Sequence, residues 1–153
     1  MNTHISEKTL QDLEFSTVLQ HVSEHCISGL GKESVRQIQP IASRKQLFKE
    51  LHLVNEYLSS FQSENRVPNH GYDNVTESVQ RLAIENSFIE TDAFLKIATT
   101  SLTVNELIKF FKKFQIQFPT FYALSQRIEF TTYVDDKIKK IIDISGEVKN
   151  NAS

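Results

Sequence analysis

His21 and His25 are four residues apart and stand beside Cys26, the only cysteine of the chain. On a helix that spacing puts both imidazoles on one face, where two nitrogens and a thiolate could approach one metal ion. The third ligand falls on the wrong turn, and Val22, Ser23 and Glu24 between the histidines do not give the glutamate placement of a His-Glu-x-x-His zinc site. What is left is two solvent-facing histidines beside a buried cysteine. Gly31-Lys32 invites comparison with a phosphate-binding loop, whose glycine amides and lysine cradle phosphate oxygens. The spacing fails at both ends: Cys26 occupies the place of the first glycine, and Glu33 that of the magnesium-binding hydroxyl.

Lys109, Lys112 and Lys113 alternate with Phe110, Phe111 and Phe114. Single-stranded nucleic acid is held by such a mixture, cations on the backbone and rings on the bases. At helical spacing the same pattern is a core face with a solvated rim, which is the reading adopted. Lys137, Lys139 and Lys140 form a comparable group offset by Asp135, Asp136 and Asp143. No serine is flanked by glycines two residues away on both sides, so no nucleophile elbow is present, and no paired-carboxylate signature stands out from surface charge. Catalysis has no positive support in these residues.

The elements that must position these groups are helices. Four glycines and three prolines in 153 residues leave few of the breaks that short strands and hairpins need. Ser6 caps a short first helix bearing Leu10 and Leu13. Phe15, Val18, Leu19, Val22 and Cys26 line a second, with Gly29 or Gly31 ending or bending it. A short helix from Lys32 runs until Pro40. Ser43 then opens a long amphipathic helix with Leu47, Phe48, Leu51, Val54, Tyr57, Leu58 and Phe61. The polar stretch from Ser63 to Asn74, with Pro68, Asn69, His70 and Gly71, is an exposed connection or docking loop. Asp73 or Asn74 caps the next helix, and Thr91 and Asp92 cap a second long one that is expected to pair with the first. Pro119 marks a break before a short helix over Thr120 to Arg127. A final helix from about Tyr133 to Ser145 turns Val134, Ile138, Ile141 and Ile142 inward and stops at Gly146. The expected architecture is all-α, an antiparallel helical bundle forming a single domain over residues 1–153.

Composition narrows the setting. With 39% hydrophobic and 24% charged residues the chain is globular, and its length buries enough surface for a core without metal or disulfide. A formal charge of -2 gives no global field for a polyanion, so any nucleic-acid contact is local. The single cysteine, the absence of a basic start and apolar run at Met1 to Lys8, and the lack of a membrane-length stretch point to the cytoplasm. Asn74-Val75-Thr76 and Asn151-Ala152-Ser153 fit the glycosylation pattern but read as ordinary polar residues.

Four stretches taken together carry a resemblance. They are Lys8-Thr9-Leu10-Gln11-Asp12-Leu13-Glu14-Phe15, the Leu30-Gly31-Lys32-Glu33 junction ending at Ile38-Gln39-Pro40, the Pro68 to Val75 loop, and the closing run from Ile141 through Gly146-Glu147-Val148 to Ala152-Ser153. In order and spacing the chain resembles the N-terminus of the bacterial MutS-II family, relatives of the mismatch-repair MutS proteins that lack the mismatch-reading domain. The resemblance implies a helical core region of a longer protein, whose levers, DNA clamp, dimeric ATPase and Smr nuclease domain lie outside this chain. It implies no catalytic, cofactor or metal residue here, with ATP and magnesium bound elsewhere in the parent.

The parent's implied activity is that of a homodimeric DNA-dependent ATPase and endonuclease. It binds branched or mismatched DNA, acts in DNA repair and restrains homologous recombination; some family members instead rescue collided ribosomes, with ribosomal RNA as partner. Gly31, Lys32, Glu33 and Arg36 are the residues expected to contact neighbouring domains, because glycine permits close backbone approach. A stand-alone helical adaptor that takes a partner helix or peptide near the His70 loop is the competing reading. A stop codon after Ser153 would favour it, and downstream levers with a Walker motif would favour the first.

Overall fold

A computed structural model of the chain describes residues 5–143 and 145–152. Met1 to His4, Ile144 and Ser153, used above for the missing export signal, the closing motif and the second glycosylation pattern, lie outside the described residues. The described residues form eight helices: α1 (Glu7–Asp12), α2 (Phe15–Glu24), α3 (Gly29–Arg36), α4 (Arg44–Phe61), α5 (Thr76–Leu82), α6 (Thr91–Lys113), α7 (Pro119–Ser125) and α8 (Tyr133–Ile141). Among the described residues there is no strand beyond an isolated antiparallel bridge between Ile142 and Val148. The chain is all-α. It divides into two compact units, Met1–Asn55 and Glu56–Ser153.

In the first unit α1 packs on α2 and α2 on α3. Ser6 is the expected N-cap, its Oγ accepting from the Thr9 amide at 3.1 Å. Glu14, with a left-handed φ of 50°, turns the chain between α1 and α2. The glycines do not end the second helix: α2 stops at Glu24, with His25 as its C-cap, and Gly29 is the first residue of α3. The short helix expected from Lys32 thus begins three residues earlier, because the Ser28 side chain accepts from the Gly31 amide at 3.1 Å and fixes the start. Ser43 heads α4 as expected, its Oγ accepting from the Gln46 amide at 3.4 Å. Val35, at 6% exposure, is the buried apolar side chain of this unit among the described residues.

The second unit holds the larger core. α6 packs against α7 and α8, where the sequence had suggested α4 as its companion. At its C-terminal end Phe111 stacks on Phe121 with centroids 5.0 Å apart, and Phe118 beside them is fully buried. Toward its start Ala98 joins Ile138 and Ile142, with Phe94, Leu95, Ile97 and Val134 around them. Thr91 and Asp92 lie inside the first turn of α6 rather than capping it; Glu90 holds the cap position without a side-chain bond. Asp92 instead pairs with Lys96 at 3.1 Å and complements the positive end of the helix. Pro119 starts α7 instead of merely breaking the chain, since at the first helical position its missing N–H costs nothing. α8 ends at Ile141, and Gly146, at φ +87°, turns the following loop rather than the helix end.

Two side chains distant in sequence pin these helices. The Glu56 carboxylate accepts from the Thr120 amide at 3.0 Å and the Phe121 amide at 3.2 Å, capping the N-terminus of α7. Buried Asn105 on α6 donates to the Thr131 carbonyl at 2.6 Å and accepts from the Thr131 amide at 3.3 Å. Loss of a charged cap of this kind costs about 1–2 kcal/mol. Glu56→Ala is therefore expected to lower unfolding stability by about that amount, with Glu56→Gln losing less because an acceptor oxygen survives. Phe118→Ala empties a fully enclosed site and is expected to cost about 3–5 kcal/mol. Urea unfolding followed by circular dichroism checks all three.

Candidate functional site

The residues expected to contact neighbouring domains lie on α3. Gly31 is tucked against its own junction: a Cβ there would meet Ser28 Oγ at 3.2 Å and the Cys26 side chain at 3.5 Å. The close approach a glycine permits is thus made to the α2–α3 connection. Lys32 and Arg36, one helical turn apart, line an open concavity of about 530 Å³ together with Leu19, Gln20, Glu24 and Val35. Glu33 is exposed and is not part of that lining. The structure therefore brings together two of the four residues, a lysine and an arginine on one face, and sets Gly31 behind them.

His21 and His25 are exposed, and Cys26 Sγ donates to the Val22 carbonyl at 3.5 Å. His21-Val22-Ser23-Glu24-His25 also has the spacing of the inverted zinc motif His-x-x-Glu-His, which the reading of the sequence passed over. Among the described residues no three His, Cys, Asp or Glu side chains stand where they could hold one metal ion.

In the second unit the phenylalanines of α6 face inward. Phe111 is buried, and Phe110 lies 4.8 Å from Phe114 and 5.5 Å from Phe118, so their faces are occupied by one another. Lys112 and Lys113 form an exposed rim with Lys109, whose ammonium sits 5.1 Å from the centre of the Phe130 ring. Of the lysines of α8, one is offset by an acidic partner as expected, while Lys137 lies 5.3 Å from the centre of the Tyr133 ring. Lys139 pairs with the buried Asp135 at 2.6 Å, and Lys149, which the sequence reading did not join to them, donates to the Lys139 carbonyl at 2.6 Å at the end of the helix.

The His70 loop borders an apolar hollow of about 470 Å³, walled by Val104, Leu107, Phe111, Phe121 and Leu124. His70 Nδ1 donates to the Pro68 carbonyl at 3.0 Å, leaving Nε2 to accept from the Tyr57 hydroxyl at 3.5 Å. Tyr57 and Tyr72 bring hydroxyls to a lining that is otherwise almost wholly hydrocarbon. The sequence marked the loop but not the hollow, whose walls come from α6 and α7. Asp143 anchors the closing loop by accepting from the Ser145 hydroxyl at 2.7 Å, the Ser145 amide at 2.9 Å and the Glu147 amide at 3.0 Å.

No family model matches the chain. Proteins named endonuclease MutS2 do match it nearly end to end. The protein of Alkaliphilus oremlandii is 24% identical over 151 residues, 97% of this chain and 19% of its own length. That of Symbiobacterium thermophilum is 24% identical over 149 residues, and that of a Geobacillus species 26% identical over 149 residues. The chain is related to the MutS2 proteins. It spans about a fifth of the length of the MutS2 relatives it matches. The junction around Gly31 and the loop closed by Asp143 are two of the stretches on which the MutS-II resemblance rested.

A methyl at Gly31 gains helix propensity but presses on Ser28, so Gly31→Ala is expected to be nearly neutral. Gly31→Leu is expected to cost about 1–3 kcal/mol by overpacking the junction, read by thermal unfolding. The Asp143 carboxyl is held below the usual carboxylate range, first by the Ser145 hydroxyl and then by the Glu147 amide. A depressed pKa contributes stability that is complete above the unfolded value and lost as pH falls through the folded one. The Ser145 amide resonance should hence hold steady through ordinary carboxylate titration near pH 4 and move only below it.

Proposed function

We propose that this chain is the N-terminal, non-catalytic helical segment of a longer MutS2-type protein. In that protein its packed helices pass nucleotide-dependent movement between an ATPase and DNA-gripping levers. The observation that carries the reading is the match itself, 97% of this chain on 19% of the relatives' length. The rest of the longer polypeptide would supply ATP and magnesium binding, dimerisation and endonuclease activity. The work of the whole in the cytoplasm is recognition of branched or mismatched DNA and restraint of homologous recombination. Among the described residues no helix is long and apolar enough to cross a membrane.

Movement passes through such a segment only if it behaves as a body rather than as loose helices. Within the second unit, bonds across long stretches of chain support that: Glu56 to α7, and Asn65 to Gln117 at 3.1 Å. A net charge of -2 and lysines tied to Asp135, Phe130 and a helix end suit a scaffold better than a phosphate-tracking surface. Lys32 and Arg36, the cations on one face of α3, are the interdomain contact in this reading.

The apolar hollow beside His70 favours a second reading, a stand-alone adaptor that takes an apolar anchor from a partner helix. An anisotropy titration against labelled branched DNA and a duplex control, at low and moderate salt, tests the first. This chain alone is expected to show no preference for the branch, whereas the longer protein binds it with a marked salt dependence. Salt-sensitive, branch-selective binding by this chain would overturn the scaffold role and make it a DNA contact.

A further inference from the structure

The hollow beside His70 is sized and lined for a small molecule. Its volume of about 470 Å³ falls in the range of roughly 300–1,000 Å³ that ligand sites occupy, more than one side chain could fill. Val104, Leu107 and the buried Phe111 of α6 wall it with Phe121 and Leu124 of α7, so most of what it offers is hydrocarbon and ring surface. Phe111 and Phe121 are stacked on each other with centroids 5.0 Å apart, which fixes both rings. All the lining residues lie within Glu56–Ser153, so the hollow belongs to one compact unit.

Tyr57 and His70 supply the polar side. Their rings stand at right angles with centroids 5.7 Å apart, and the Tyr57 hydroxyl is 3.5 Å from His70 Nε2. A carbonyl only accepts, so the Pro68 contact at 3.0 Å makes Nδ1 the donor and leaves Nε2 to accept. At 3.5 Å the Tyr57 hydroxyl lies beyond the roughly 2.7–3.2 Å of a well-formed bond, so Nε2 keeps its capacity for a closer donor. Tyr72 adds a second hydroxyl to the lining. A ligand hydroxyl can donate to Nε2 and accept from a tyrosine at once, whereas a carboxylate has only acceptors to offer. No Asp, Glu, Lys or Arg lines the hollow among the described residues, and an ion taken into hydrocarbon without a counter-charge loses its hydration uncompensated. We propose that the hollow binds a neutral, mainly hydrocarbon molecule carrying one hydroxyl, of the alkylphenol class, with the hydroxyl on His70 Nε2 and the ring against Leu107, Phe111 and Phe121. The site is a property of this unit alone and depends on neither function proposed above.

Methyl-resolved NMR titrations of the 153-residue chain test it with three probes of similar size, para-propylphenol, propylbenzene and para-propylbenzoate. The phenol is expected to shift the methyls of Val104, Leu107 and Leu124 and to leave those of Ala98 and Ile138, in the cluster against α8, in place. Propylbenzene lacks the hydroxyl and should bind about fivefold more weakly. The benzoate should bind roughly tenfold more weakly than the phenol. His70→Phe keeps a ring against Tyr57 but no acceptor, and should bring the phenol down to the affinity of propylbenzene while propylbenzene itself is unchanged. Val104→Trp fills the hollow and should remove binding of all three probes, with circular dichroism reporting whether the variant is folded; if it is not, the His70→Phe comparison decides. Absence of shifts up to the solubility limit of the phenol overturns the proposal, and so does a benzoate that binds as tightly as the phenol. Equal affinity for the phenol and propylbenzene also overturns it, leaving a purely apolar seat of the kind an anchor side chain needs.

Discussion

Helix α6 is the element on which the larger unit is assembled, because it offers buried positions along most of its length. Ala98, Asn105, Ile108 and Phe111 recur on one face, and the two ends of that face meet different partners. Near the start Ala98 is small enough for α8 to approach with Ile138 and Ile142, while near the end Phe111 and Phe118 fill the space against α7. Twenty-three residues of helix span about 35 Å, so one rigid rod fixes the separation of two small clusters that could not form one core. Six buried apolar side chains in this unit among the described residues is a thin core, and so the polar contacts matter more than they would in a denser one.

Those contacts cluster where helices begin and end. Glu56 answers the free amides of α7, Asp92 those of α6 through its charge, and Lys149 the last carbonyls of α8. Each joins a terminus to a side chain of opposite sign, and the first and last do so across intervals that tie separate elements together. Asn105 performs the same service for the loop before α8 by offering both donor and acceptor to Thr131.

Function is bound up with what the chain leaves uncovered. Exposed leucines, valines and phenylalanines on one side of α4, and an apolar hollow beside His70, stand uncovered among the described residues. Kinship with proteins about five times the length of the matched part gives that observation its context.

The residues by themselves determined that the chain is helical, where most helices lie, and that Ser6 and Ser43 start two of them, because periodicity and capping act within a few residues. They also placed the phenylalanines of α6 inward and the lysines outward, since a single helix separates those faces. The family resemblance was likewise carried by short motifs and needed no fold. Tertiary structure alone decided that α6 packs on α7 and α8, that Glu56 reaches an amide 64 residues away, and that Gly31 lies against Ser28 and Cys26. It alone separated the two faces of α4, since a stripe of leucines reads the same whether or not a neighbour covers it. The reason is physical: local hydrogen bonds and side-chain periods fix elements, whereas which apolar faces meet depends on the geometry of many elements at once.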